Sequence, residues 1–94
     1  MRDAVIVSTA RTAIGKAYRG GFNATTGATL GSYSLKAAVE RAGIEGGEVD
    51  DVLWGSALQQ GTQSSNIARQ VVLRAGLPIT TSGMSMDRQC SSGL

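Results

Sequence analysis

Histidine is absent from the 94-residue chain, and cysteine occurs once. A metal centre built from His and Cys clusters is therefore excluded, and so is an internal disulfide framework. Any mechanism that draws a His base from this chain is excluded too. Aromatic residues are scarce, at one Trp, two Tyr and one Phe, too few for the stacking platforms of single-stranded nucleic-acid binders. Charge of one sign is also lacking. Nine basic residues against seven acidic ones leave a formal charge of +2, which makes no electrostatic footprint for nucleic acid. Long hydrophobic runs are missing as well. Arg2-Asp3 is followed only by Ala4-Val5-Ile6-Val7 before Ser8, too short for a signal peptide or a membrane span. Asn23-Ala24-Thr25 fits a glycosylation sequon, but without an export signal it reads as an ordinary loop. A reducing, cytoplasmic compartment is expected.

What is present is glycine, at 13 residues against an average of about 7%, so tight turns and close backbone approaches are expected. With 41% hydrophobic and 17% charged residues the composition is globular and not that of a disordered polyelectrolyte. Ala4 to Val7, β-branched and continuously apolar, predicts a buried strand of a parallel sheet. After an irregular stretch, Thr29 or a neighbour caps a helix running to Ala42. Leu35, Ala38, Val39 and Ala42 form its apolar stripe, and Gly43 ends it in the left-handed conformation. Val52-Leu53-Trp54 is a second strand, stopped at Gly55. Gln59 to Ser65 is a polar loop in which Ser64 or Ser65 caps the next helix. Ile67, Ala68, Val71, Val72 and Ala75 share one face of that helix, with Gly76 and Pro78 as its stop. Ile79 to Asp87 is extended. The order is β-α-β-α-β with parallel crossovers, within one partial domain over residues 1–94.

Two phosphate-binding patterns fail. Gly15-Lys16 has Ala10 in place of the first P-loop Gly and Ala17 in place of Ser or Thr. No G-x-G-x-x-G follows the first strand. Arg11, Lys16 and Arg19 around Tyr18 read as a solvated basic loop rather than an anion site. Cys90 is the informative residue. A lone Cys is ordinarily a small buried hydrophobe, yet this one follows a strand directly and precedes Ser91-Ser92-Gly93. Such small residues permit a sharp turn like the nucleophile elbow of hydrolases. A helix starting near Cys90 would favour its thiolate, and the backbone N–H groups there would hold an oxyanion.

Met86-Asp87-Arg88-Gln89-Cys90-Ser91-Ser92-Gly93-Leu94 resembles the nucleophile motif of the thiolases, the acetyl-CoA acetyltransferases and 3-ketoacyl-CoA thiolases. Ala10-Arg11-Thr12-Ala13-Ile14-Gly15-Lys16 resembles the family's segment after its first strand. Asn66-Ile67-Ala68-Arg69-Gln70 and Ala75-Gly76-Leu77-Pro78 resemble its second-helix block. The chain departs from the family pattern at Ala13, Ser65 and Asp87. The resemblance implies an α/β fold, the first half of the N-terminal domain of a five-layer α-β-α-β-α sandwich. It also implies an acyl transfer through an acyl-Cys90 intermediate, either thiolytic cleavage of a 3-ketoacyl-CoA or condensation of acetyl-CoA.

By the same resemblance coenzyme A and acyl-CoA are substrates, with no bound cofactor and no metal. The proton-transfer groups, a His and a second Cys, belong to the remainder of such a polypeptide. The chain is thus expected to be a fragment that neither folds stably nor catalyses alone. A homodimer or homotetramer is implied, with Ser65 and Asn66 at a subunit interface near the partner's active site. Other readings are a ketoacyl synthase type of condensing enzyme, a non-catalytic thiolase-like lipid-binding or interaction protein, and a redox-sensing Cys.

Overall fold

The computed structural model describes residues 1–93. Its first regular element is helix α1, Gly27–Ala42. Thr26 stands at the N-cap in extended conformation, and its hydroxyl accepts a hydrogen bond from the Thr29 N–H, satisfying one of the donors a helix start leaves free. Gly43, at φ 69°, ends the helix in the left-handed region and returns its N–H to the Glu40 carbonyl. A 3-10 turn at Gly46–Glu48 leads into strand β1, Asp51–Gly55. A second 3-10 turn, Gly61–Gln63, precedes helix α2, Ile67–Arg74. Strand β2, Ser82–Met86, follows, and a short 3-10 turn spans Gln89–Ser91. The two strands pair in parallel, with Val52 opposite Gly83 and Trp54 opposite Ser85, so α2 is the crossover of a β-α-β unit.

The core lies under α2. Ile67, Ala68, Val71, Val72 and Ala75 are all buried, together with Val52 and Leu77, as their shared helical face requires. Gly76, at φ 82°, stops the helix, and the Leu77 N–H returns to the Val72 carbonyl. Helix α1 packs on α2 differently from the expected stripe. Its buried positions are Gly31 and Ser32, whereas Leu35, Ala38, Val39 and Ala42 are half-buried. The reason is backbone proximity. A Cβ on Gly31 would stand 2.7 Å from Val71 Cγ2 and 2.9 Å from the Trp54 ring, so only glycine admits this approach.

Two expectations are corrected. Ala4 to Val7 forms no strand. Val5, Ile6 and Val7 are 75%, 88% and 69% exposed. The run lies along a groove of about 440 Å³ shared with the α1 stripe and β1 but makes no ladder with β1. Four residues offer few ladder hydrogen bonds, and among the described residues nothing covers the second face that such a run needs, so ordering it is not repaid.

The second correction concerns the cap of α2, which is neither Ser64 nor Ser65. The Ser64 hydroxyl is spent on the Gly61 carbonyl within the preceding turn, and Ser65 takes a left-handed φ of 59°. The cap comes instead from the neighbouring strand. Ser85 Oγ accepts the Ala68 N–H at 3.0 Å and donates to Asn66 Oδ1 at 3.0 Å. Gly83 makes this possible, because a Cβ there would stand 2.8 Å from the Arg69 nitrogen.

Candidate active site

The end of β2 reverses sharply. Asp87 and Arg88 leave the strand, and Gln89 adopts φ 51°, a left-handed conformation uncommon for a side chain of its size. The turn Gln89–Ser91 follows, with Cys90 at its centre, unpaired and exposed. The expected helix start at Cys90 is therefore one 3-10 turn among the described residues, entered through a left-handed residue. Local strain of this kind persists only where neighbours over-determine it, and the neighbours are Asp87, Ser92 and Gly55.

Asp87 Oδ1 accepts the Gln89 N–H at 2.7 Å, and Asp87 Oδ2 accepts the Gln89 side-chain amide at 3.2 Å. Ser92 is buried. Its Oγ accepts the Arg88 N–H at 2.8 Å and donates to the Gln89 carbonyl at 2.7 Å. Ser91 Oγ donates to the Arg88 carbonyl. Beneath the turn lies Gly55 at the end of β1, where an added Cβ would fall 1.4 Å from the Ser92 carbonyl oxygen. The Ser56 N–H then extends the sheet pairing to the Met86 carbonyl. Both strand ends therefore fix the elbow. Among the described residues the Cys90 N–H has no protein acceptor, so it is available to an incoming oxyanion.

Ser65 and Asn66 sit elsewhere. They are consecutive left-handed residues at φ 59° and 55°, both exposed. Gln70 Nε2 donates to the carbonyls of Ser64 and Ser65 at 2.6 and 3.0 Å. Asn66 Nδ2 donates to the Gly83 carbonyl at 2.9 Å. This strained loop is thus tied to β2, the strand that carries the elbow, while no hydrogen bond joins Ser65 or Asn66 to residues 87–93. Nothing in the sequence marks Ser85, Gln70 or Gly55 as supports of the site. The glycine at the strand end was visible, but the residue that would cover it was not.

A cleft of about 990 Å³ opens on the other side of the elbow. It is lined by Arg11, Lys16, Phe22, Trp54, Gly55 and Ser92 among others, and Cys90 is outside it. Arg11, Lys16 and Arg19 are exposed, as a solvated basic loop should be. Among the described residues no helix is long and apolar enough to cross a membrane.

Residues 4–94 match the family model "Thiolase, N-terminal domain". Over 90 residues the chain is 46% identical to an acetyl-CoA acetyltransferase of Rhizobium meliloti, covering 96% of this chain and 22% of that protein. It is 42% identical over its whole length to a 3-ketoacyl-CoA thiolase of Bacillus subtilis, covering 24% of that protein. A solved acetyl-CoA acetyltransferase from Syntrophomonas wolfei superposes with a TM-score of 0.84 at 32% identity, over 95% of this chain and 22% of that one. The chain spans about a quarter or less of the length of the relatives it matches.

Proposed function

The chain belongs to the thiolase family, and from that premise we propose that it carries the nucleophile of a CoA-dependent acyltransferase, with Cys90 as the acylated residue. In the degradative direction the Cys90 sulfur attacks the 3-keto carbon of a 3-ketoacyl-CoA. The bond between the α- and β-carbons breaks, and its electron pair leaves with the acetyl-CoA carbon, which takes up a proton. Free CoA then takes the acyl group from sulfur. The synthetic direction runs the same steps in reverse, beginning with acetyl transfer to Cys90.

The observation that carries this reading is the elbow. It presents an exposed thiol on a strained turn held from both strands, with an unengaged N–H at the same residue. Splitting a difficult carbon–carbon cleavage into two acyl transfers needs such a nucleophile. It also needs proton transfer at sulfur and at the α-carbon, and the chain contains neither His nor a second Cys. Those groups are supplied by polypeptide outside these residues.

Exposed Val5, Ile6, Val7, Ile14 and Leu53 are apolar surface for that polypeptide to cover. The strained Ser65–Asn66 loop is assigned to an interface between subunits of a homodimer or homotetramer in the cytoplasm. Condensing enzymes of the ketoacyl synthase type and non-catalytic relatives are not favoured, because the named relatives are acetyl-CoA acetyltransferases and a 3-ketoacyl-CoA thiolase.

The test is a mass measurement. Full-length enzyme incubated with acetyl-CoA and digested in acid carries the acetyl mass on the peptide containing Cys90. Cys90→Ser loses the label, and turnover falls by several orders of magnitude, since an alcohol is far less ionised than a thiol. Acetyl on another residue with Cys90 unmodified would overturn the assignment.

A further inference from the structure

We propose that Asp87 is a positioning residue for acyl transfer, acting by holding Gln89 left-handed so that Cys90 is presented in its reactive orientation. This rests on the assignment of Cys90 as the nucleophile. Among the described residues of the elbow Gln89 alone has positive φ, and a residue of its type meets steric resistance there. Two contacts oppose that resistance. Ser92 Oγ, 2.7 Å from the Gln89 carbonyl and 3.4 Å from Asp87 Oδ1, holds the far side of the residue. Asp87 Oδ1 holds the near side through the Gln89 N–H at 2.7 Å.

The second contact is a side chain accepting from the backbone two residues on, a closed turn that an aspartate or asparagine makes and a longer side chain does not. Asp87 is exposed, so burial does not fix it. Its other oxygen takes the Gln89 side-chain amide at 3.2 Å, so both ends of Gln89 are tied to one carboxylate. Released from this contact, Gln89 relaxes toward negative φ, and the rotation is passed directly to Cys90. A displacement of about 1 Å at a reacting atom costs about 100-fold in rate.

Geometry and charge make opposite demands on substitutions, which separates them. Asp87→Asn removes the charge but keeps an oxygen able to accept the Gln89 N–H. Asp87→Glu keeps the charge but carries it one methylene too far to close the turn. The measurement is the single-turnover rate of Cys90 acetylation by acetyl-CoA in the full-length enzyme, read by mass spectrometry, together with the acetyl-CoA concentration giving half the maximal rate. Asp87→Asn is expected to acetylate within about threefold of wild type. Asp87→Glu and Asp87→Ala are expected to be about 10- to 100-fold slower at saturating acetyl-CoA, with the half-saturating concentration unchanged. Asp87→Glu guards against a folding artefact, because it places a charged side chain at an already exposed position. Wild-type rates in Asp87→Glu, or a rate in Asp87→Asn as low as in Asp87→Ala, would overturn the proposal while leaving Cys90 as the nucleophile. Absence of acetyl from Cys90 in the wild-type enzyme would remove the premise itself.

Discussion

Gly55→Ala tests whether the two strand ends fix the elbow. The added methyl carbon would stand 1.4 Å from the Ser92 carbonyl oxygen, 2.3 Å from its carbonyl carbon and 3.0 Å from its Cα. A carbon and a carbonyl oxygen settle at about 3.3 Å or more, so the two backbones must separate by roughly 2 Å. Neither side is the free end of a side chain. On one side β1 is registered against β2 and anchored by buried Val52. On the other, Ser92 is buried and bonded to the Arg88 N–H and the Gln89 carbonyl. Overpacking of this kind costs about 1–3 kcal/mol, and the yielding element is the elbow, which has only turn hydrogen bonds to lose.

Two readouts should move together in the full-length enzyme. The denaturant midpoint falls, and single-turnover acetylation of Cys90 slows by about 100-fold. Gly21→Ala is the control, because a methyl there meets nothing within 4 Å, and it should change neither. A Gly55→Ala enzyme that keeps both its denaturant midpoint and its acetylation rate would refute the close-approach argument.

Further expectations concern the loop and helix beside the elbow. Ser85→Ala removes the oxygen that caps the Ala68 N–H and the donor to Asn66 Oδ1, so stability should fall by about 1 kcal/mol, read as a lower denaturation midpoint. Ser65→Trp should weaken activity and self-association together, measured by turnover and sedimentation. Ser65→Gly, which accepts φ 59° freely, should preserve both. Loss of activity in Ser65→Trp with an unchanged oligomer would count against the interface assignment.

Local chemistry was legible wherever a residue acts on its own neighbours. Gly43 and Gly76 end their helices, and the five apolar residues from Ile67 to Ala75 are buried as one face. Each follows from 3.6-residue spacing or from the freedom of a residue without Cβ. The cap of α1, however, is Thr26, three residues before the expected Thr29, which lies inside the helix and donates its N–H to the Thr26 hydroxyl. The expectation for Ala4 to Val7 fails because strand formation depends on a partner, and apolar β-branched character records only that the run suits one. The α2 cap fails for a related reason. A serine is present at the right place, but its conformation is decided by the turn before it, and Ser85, 17 residues downstream of Ala68, accepts the Ala68 N–H instead.

The sequence by itself determined the family and the parallel β-α-β crossover, and it singled out Cys90 as the residue proposed as nucleophile, because these rest on residue identity, order and periodicity. Only the tertiary structure decided what holds that residue. Gly55 and Ser92 are 37 positions apart and meet backbone to backbone. The left-handed state of Gln89 is held by short-range contacts from Asp87 and Ser92, but Ser92 is itself seated against Gly55 of the other strand. The physical reason is that periodicity describes one element at a time, whereas the elbow is strained. Strain is stable only when several elements constrain the same few atoms, and that condition exists only after the chain has folded.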